Sequence, residues 1–287
     1  MTQDILECIH NKMNTFSKGQ RRIAAYILES YDKAAFLTAG VLGKTVQVSE
    51  STVVRFASQL GYDGYPEMQK ALQEMVLHRL TASQRIAVGE KHIAQEDILN
   101  SVLLADADRI RKTSEEIDAV QFQDAVEALL SARRIYVLGV RSSASLASFL
   151  CYYLRYLFDD VRQLMQLSES EVFEALVRIA PQDVLVGISF PRYCSVTVRA
   201  MELARTRGAR TVALTDCAAS PIARNADCVL LAGSGMVSLV DSMVAPMSVI
   251  NALLVAVASR RKSETTQTFD KLEEIWDSYH VYEKNRE

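Results

Sequence analysis

The 287-residue sequence predicts two domains: an all-helical module at the front and a doubly wound parallel α/β domain, flavodoxin-like or Rossmann-like, behind it. Three observations carry that reading. The chain is too long for one small core, and its 49% apolar content is ample to bury two. Helical periodicity runs through residues 5–80 with Pro66 as the strong breaker. After residue 106 the pattern changes to β-branched runs alternating with helical stretches, which implies a mostly parallel sheet covered on both faces.

Ser17 reads as an N-cap opening the helix KGQRRIAAYILES, whose Ile23, Tyr26 and Ile27 give it an apolar stripe. The next segment, LGKTVQVSESTVVRF at 42–56, reads as two short helices joined by a tight turn. Leu42 and Val46 supply one apolar face, Val48 sits in the turn, and Val53, Val54 and Phe56 are the expected buried side of the second helix. Ser49 is its expected N-cap. Small polar side chains at the start of the second of two such helices suit a helix that reads base edges in the major groove. Ser51, Thr52 and Arg55 fall at those positions, with Lys44 nearby. GYDGYPEMQKAL then gives a glycine-marked turn and a last helix.

Residues 1–80 are expected to form the front domain, 81–106 a polar connector containing Gly89, and 107–287 the α/β domain. RRIYVLGV, DVLVGISF, ARTVALTD and ADCVLLAG are its expected strands. In an open parallel sheet, ligands bind beyond the carboxyl ends of the strands. Two loops there have the composition of an anion cradle. Gly139, Arg141, Ser142 and Ser143 follow the first strand, and Ser189, Arg192, Tyr193 and Cys194 follow the second. Glycine permits a close turn, hydroxyls and helix amides can surround a phosphate, and a guanidinium fork matches phosphate or carboxylate. A serine at such a turn can equally be only an N-cap, and Phe190 and Tyr193 can be pocket walls or core aromatics.

The formal net charge of −3 does not mark a nucleic-acid binder, but Lys18, Arg21, Arg22, Lys44, Arg55 and Lys70 gather in the first 80 residues. Cys8, Cys151, Cys194, Cys217 and Cys228 show neither metal-ligand spacing nor a disulfide framework, so reduced thiols, no metal and a cytoplasmic location are expected. The apolar run at 243–258 is broken by Pro246, Ser248 and Asn251 and reads as a buried helix, with no membrane partner expected. FLCYYLRYLF at 149–158 is aromatic on more than one helical face, which suits core or a subunit contact.

The order of VSESTVVRFASQLGYDGY, a G-x-x-S-S loop, a strand ending in Ser189, and RGARTVALTDCAASPIARNADCVLLA resembles the MurR/RpiR family of bacterial transcriptional regulators. The resemblance covers about 16–260. It implies a helix-turn-helix domain followed by a sugar-isomerase-like (SIS) domain that binds a phosphorylated sugar, with no resident cofactor. It also implies a reading helix at 49–60, with Ser51, Thr52 and Arg55 on DNA, and sugar-phosphate loops at Gly139, Ser142, Ser143 and Ser189. Two departures from the family pattern stand out. Gly43 replaces a usual alanine and Gln47 a frequent glycine, which is expected to loosen the motif. Phe190-Pro191-Arg192-Tyr193-Cys194 stands where a glycine and further hydroxyls are common; Pro191 lacks an amide donor, which Arg192 can offset.

The expected protein is therefore a homodimeric, effector-responsive regulator of operator DNA. The alternative is a sugar-phosphate isomerase, for which Glu169 and Glu171 are the conceivable bases, since none of His10, His78, His92 and His280 falls in the αβ pattern. A third idea places a redox switch at Cys194, beside Arg192 at a helix start.

Overall fold

The computed structural model describes residues 5–79, 97–164, 167–236 and 240–283. The chain divides into two compact units, Met1–Lys91 and His92–Glu287. Each has its own hydrophobic core.

The first unit is helical: α1 (Ile5–Lys12), α2 (Lys18–Glu29), α3 (Tyr31–Ala34), α4 (Ala39–Thr45), α5 (Glu50–Leu60) and α6 (Tyr65–Arg79). Ser17 caps α2 through a reciprocal capping box with Gln20. Gly61, at φ 103°, ends α5 in a left-handed conformation that favours glycine. Ile9, Ile23, Ile27, Leu42, Val53, Phe56, Met68 and Leu72 form the interior, and the Phe16 and Phe56 rings meet with centroids 5.0 Å apart. Val54, expected inside, is instead exposed. Val53, Phe56, Ala57 and Leu60 already complete the buried stripe of α5, and Val54 falls one residue off it.

In the second unit, α7 (Ile98–Glu116) and α8 (Ala119–Leu130) precede the sheet. Most of the connector expected at 81–106 lies outside the described residues, and 98–106 form the first half of α7. Asp97 caps that helix by accepting from the Asn100 amide, and the residues that follow, ILNSVLLAD, are mostly apolar, so this part of the expected connector is helix rather than loop.

The strands are β1 (Arg134–Gly139), β2 (Val161–Gln163), β3 (Asp183–Ile188), β4 (Arg210–Thr215) and β5 (Cys228–Leu231), all parallel, in the order β2-β1-β3-β4-β5. Between them lie α9 (Ser143–Leu157), α10 (Glu169–Ala175) and α11 (Ser195–Thr206). A short hairpin, β6 (Gly235–Met236) and β7 (Asp241–Ser242), leads into α12 (Val244–Arg260) and α13 (Lys262–Ser278).

Side chains alternate between two buried faces. Ile135, Val137, Val184, Val186, Val212 and Leu214 pack with α8, α9 and α12, while Tyr136, Leu138, Leu185 and Ala213 pack with α10 and α11. The sheet is thus doubly wound, as the β-branched runs predict. The run at 243–258 is a helix burying Val249, Ile250, Leu253 and Val257 against it. Among the described residues, no single helix is long and apolar enough to cross a membrane.

Candidate functional site

Two regions collect the residues singled out by sequence, one in each unit. In the first, Ser49 has extended backbone and its hydroxyl accepts from the Thr52 amide at 3.3 Å, so α5 begins where expected. The hydroxyls of Ser51 and Thr52 lie 2.9 and 2.8 Å from Ser49 Oγ. Ser51, Val54, Arg55 and Ser58 form the exposed stripe of α5, opposite Val53, Phe56 and Leu60. Arg55 Nε donates to its own helix at Ser51 O, 3.2 Å away. Lys44 is exposed at the end of α4.

The turn itself explains both departures from the family pattern. A Cβ on Gly43 would stand 2.9 Å from the Val48 carbonyl oxygen, so glycine lets the turn run against α4. The Val48 amide donates to Gly43 O at 2.8 Å. Gln47 takes a left-handed φ of 55°, where glycine is easier, and is held there by Arg22. That guanidinium donates to the Gln47 carbonyl at 3.3 Å and to its side-chain oxygen at 2.8 Å. The expected loosening is not what these contacts produce: the close approach at Gly43 and the Arg22 clamp hold the turn.

In the second unit, β1 and β3 are neighbours, and their last residues pair as Gly139↔Ile188. The loops 140–142 and 189–194 therefore leave the sheet side by side, although 50 residues separate Gly139 from Ser189 in sequence. From there α9 turns to one face and α11 to the other, which opens a crevice at the switch point of the strand order. Gly139 is fixed by space: a Cβ there would stand 2.7 Å from Ser143 O and 3.1 Å from Ala147 Cβ.

Arg141 follows with a left-handed φ of 58° and an exposed side chain. Ser142 is exposed at the N-cap of α9 without bonding its first-turn amides, and Ser143 is buried. Across the crevice, Ser189 is buried and its hydroxyl accepts from the Cys194 amide at 3.2 Å, bracing the loop that leads into α11 without capping the helix's first-turn amides. Phe190 belongs to the core. Arg192 is exposed, and Cys194 is half-buried at the N-cap position. Among the described residues, neither the Arg141 nor the Arg192 side chain has an ion-pair or hydrogen-bond partner.

Tyr193 resolves as neither simple wall nor core. Its hydroxyl donates to Asp216 Oδ1 at 2.7 Å and lies 3.5 Å from Cys217 Sγ, joining the loop after β3 to the loop after β4. Burial, and then the Asp216 carboxylate, push the phenol well above its ordinary range, so it remains a donor. Sequence reasoning missed Asp216. Its only signal was its place one residue past a strand end.

The conceivable isomerase bases are engaged elsewhere. Glu169 pairs with Arg199. Glu171 closes a capping box with Ser168, whose side-chain and backbone hydrogen bonds hold its carboxyl below the usual range. Both are exposed. Such a carboxylate is a weak proton acceptor near neutrality.

A helix-turn-helix followed by a doubly wound sheet with a crevice at its switch point defines a class, the DNA-binding regulators with an α/β sensor. Comparison with known proteins makes it particular. Residues 3–78 match the helix-turn-helix domain of the rpiR family, and residues 128–256 match the SIS domain. The HTH-type transcriptional regulator HexR of Pseudomonas aeruginosa is 26% identical over 266 residues, covering 90% of each chain. The sugar isomerase domain of an RpiR transcription factor from Sphaerobacter thermophilus is 31% identical, with a TM-score of 0.60, over 62% of this chain and 99% of that one. The Vibrio vulnificus NanR protein, solved with ManNAc-6P, shares the fold at a TM-score of 0.60 and 22% identity, over 96% of this chain and 98% of that one. The chain belongs to the RpiR family of helix-turn-helix transcriptional regulators carrying a SIS domain.

Proposed function

We propose that the crevice between the β1 and β3 loops binds the phosphate of a small sugar phosphate, and that its occupancy alters the grip of the first unit on operator DNA. The Gly139↔Ile188 register carries this reading, because it sets two unpartnered guanidiniums on the two loops flanking the switch point. Gly139, Ser142 and Ser143 supply the close turn and helix start on one side; Ser189, Arg192, Tyr193 and Cys194 form the other. Ser189 acts by holding the Cys194 amide and so shaping the loop that leads into α11. NanR, solved with a sugar phosphate, supports the ligand class by analogy.

Lys44, Ser49, Ser51, Thr52 and Arg55 are the proposed DNA contacts. Residues 1–80 hold nine Lys and Arg against eight Asp and Glu, so attraction to phosphate rests on where the exposed cations stand, not on the total. Replacing Lys44 by glutamine is expected to weaken operator binding about equally on all sequences and to flatten the plot of log K against log salt by about one unit. Replacing Arg55 is expected to cost about 1–3 kcal/mol on the operator and less on unrelated duplex, through a lost base contact. Gel-shift titrations at several salt concentrations measure both. A wild-type protein with no salt-sensitive, sequence-selective shift on its upstream DNA would remove the DNA-binding reading.

The protein is further proposed to act without turnover, in the cytoplasm, as a homodimer. Glu169 and Glu171 are committed to an ion pair and a cap, which disfavours the isomerase alternative. For the dimer, α9 buries Leu150, Cys151 and Leu154 while leaving Tyr152 and Tyr153 exposed, and α13 buries no residue at all. Phe149, Tyr153, Tyr156, Leu254 and Phe269 line an apolar cavity of about 310 Å³ between α9, α12 and α13. Aromatic surface of this kind suits a subunit contact. Light scattering is expected to give twice the 32.0 kDa chain mass. Substituting Tyr153 by aspartate is expected to halve it, and a monomeric wild type would refute the pairing.

A further inference from the structure

We infer that Asp216, held by Tyr193, accepts a hydrogen bond from a hydroxyl of the effector and makes the site selective for phosphorylated polyols over ligands with an acidic group at both ends. The inference rests on the crevice being the effector site, and it assigns a role to a residue outside the two anion loops.

Three observations support it. First, Asp216 stands one residue past β4, at the same carboxyl edge as the two loops and on the strand next to β3. With strands about 4.8 Å apart, a phosphate over the β1/β3 boundary leaves the β4 end about 7 Å away, within the span of a sugar. Second, the carboxylate is half-buried and only half used. Oδ1 accepts from Tyr193 Oη at 2.7 Å and from Thr215 Oγ1 at 3.2 Å, while Oδ2 has no partner among the described residues. An ionised carboxylate only accepts, so a ligand group meeting Oδ2 must donate. Third, the charges are divided along the edge: Arg141 and Arg192 belong to the β1 and β3 loops, and the acidic group to the β4 loop. A molecule with one anionic end and one hydroxylated end matches that division, whereas a second acidic group would meet like charge.

Tyr193 is here a positioning residue. Its hydroxyl reaches from the loop carrying Arg192 to the Asp216 carboxylate, fixing which oxygen is left open.

The test is calorimetric titration of the full chain with inorganic phosphate, a panel of aldose and ketose hexose 6-phosphates, and a hexose bisphosphate. For the sugar monophosphate that binds best, Asp216→Asn is expected to lower affinity about tenfold, and Tyr193→Phe, which keeps the ring packing, about threefold. Inorganic phosphate should bind Asp216→Asn as it binds wild type. The preference of wild type for monophosphate over bisphosphate should shrink in Asp216→Asn, which a merely structural change would not produce. Equal weakening of inorganic and sugar phosphate in both variants would overturn the inference, as would sugar phosphate binding that ignores Asp216. If no hexose monophosphate binds wild type more tightly than inorganic phosphate, hydroxyl recognition is refuted while the anion site stands; if inorganic phosphate fails as well, both fall.

Discussion

Changing Gly139 to alanine is expected to destabilise the second unit by about 1–3 kcal/mol, the usual cost of forcing an extra methyl into a packed site, and to weaken effector binding at least tenfold. The added Cβ would stand 2.7 Å from the Ser143 carbonyl oxygen and 3.1 Å from Ala147 Cβ. Both neighbours belong to α9, whose Leu146, Ala147 and Leu150 are locked in the core, so relief requires moving the helix start away from the strand end. Glycine here is not answering a backbone demand, since its φ lies outside the left-handed region. An alanine would therefore gain about 0.4–1 kcal/mol from a less disordered unfolded chain, which the steric cost exceeds. The displaced segment carries Arg141, Ser142 and Ser143, so ligand affinity should fall with stability. Thermal unfolding with and without sugar phosphate measures both effects. An unchanged Tm would mean that the contact between strand end and helix can relax at no cost, and the argument for a shaped turn would fail.

The contrast between Gly139 and Ser189 shows what the sequence could and could not convey. β-Branched and apolar runs locate four of the five strands of the main sheet, because β1, β3 and β4 are buried on both faces and β5 on one with its other face half-buried. The edge strand Val161–Gln163 is half-buried to exposed and carries no such run. The helix-turn-helix is legible for a related reason, since caps and apolar spacing are local properties of the chain. Local pattern does not say which of two adjacent valines faces inward, and Val54 is accordingly misplaced. Nor does it say what a hydroxyl will bond. Ser189 and Ser142 look alike in sequence, yet one accepts from an amide within its own loop and the other stands at a helix N-cap without bonding the first-turn amides. The link from Tyr193 to Asp216 joins residues 23 apart across two loops, and only the β3–β4 pairing brings them together. Both loops were singled out as candidate anion cradles from composition alone. Their adjacency needed the strand order.

Removing both guanidiniums, as Arg141→Gln with Arg192→Gln, is expected to abolish effector control while leaving DNA binding by the unliganded protein intact. A hydrogen bond to a charged group contributes about 1.5–3 kcal/mol when it is well sheltered. Here both side chains are exposed, so solvent and salt reduce that figure and about tenfold per arginine is the reasonable expectation. The losses add to roughly a hundredfold only if each arginine holds the anion independently. Two arginines closing on the same phosphate oxygens would instead make either single change nearly as damaging as the pair, so comparison of single and double variants reports how the anion is held. Arg192→Lys adds a further distinction: it keeps the charge but loses the planar fork, and should recover part of the affinity if attraction dominates and little if bidentate geometry does. Because effector and DNA are linked through one protein, weaker effector binding should move the operator response to higher effector concentration, while the coupling factor itself, equal in either direction of measurement, reports whether the arginines also distinguish the two states. A double variant that still binds sugar phosphate as tightly as wild type would place the anion elsewhere, and with it the sensor function assigned to this crevice.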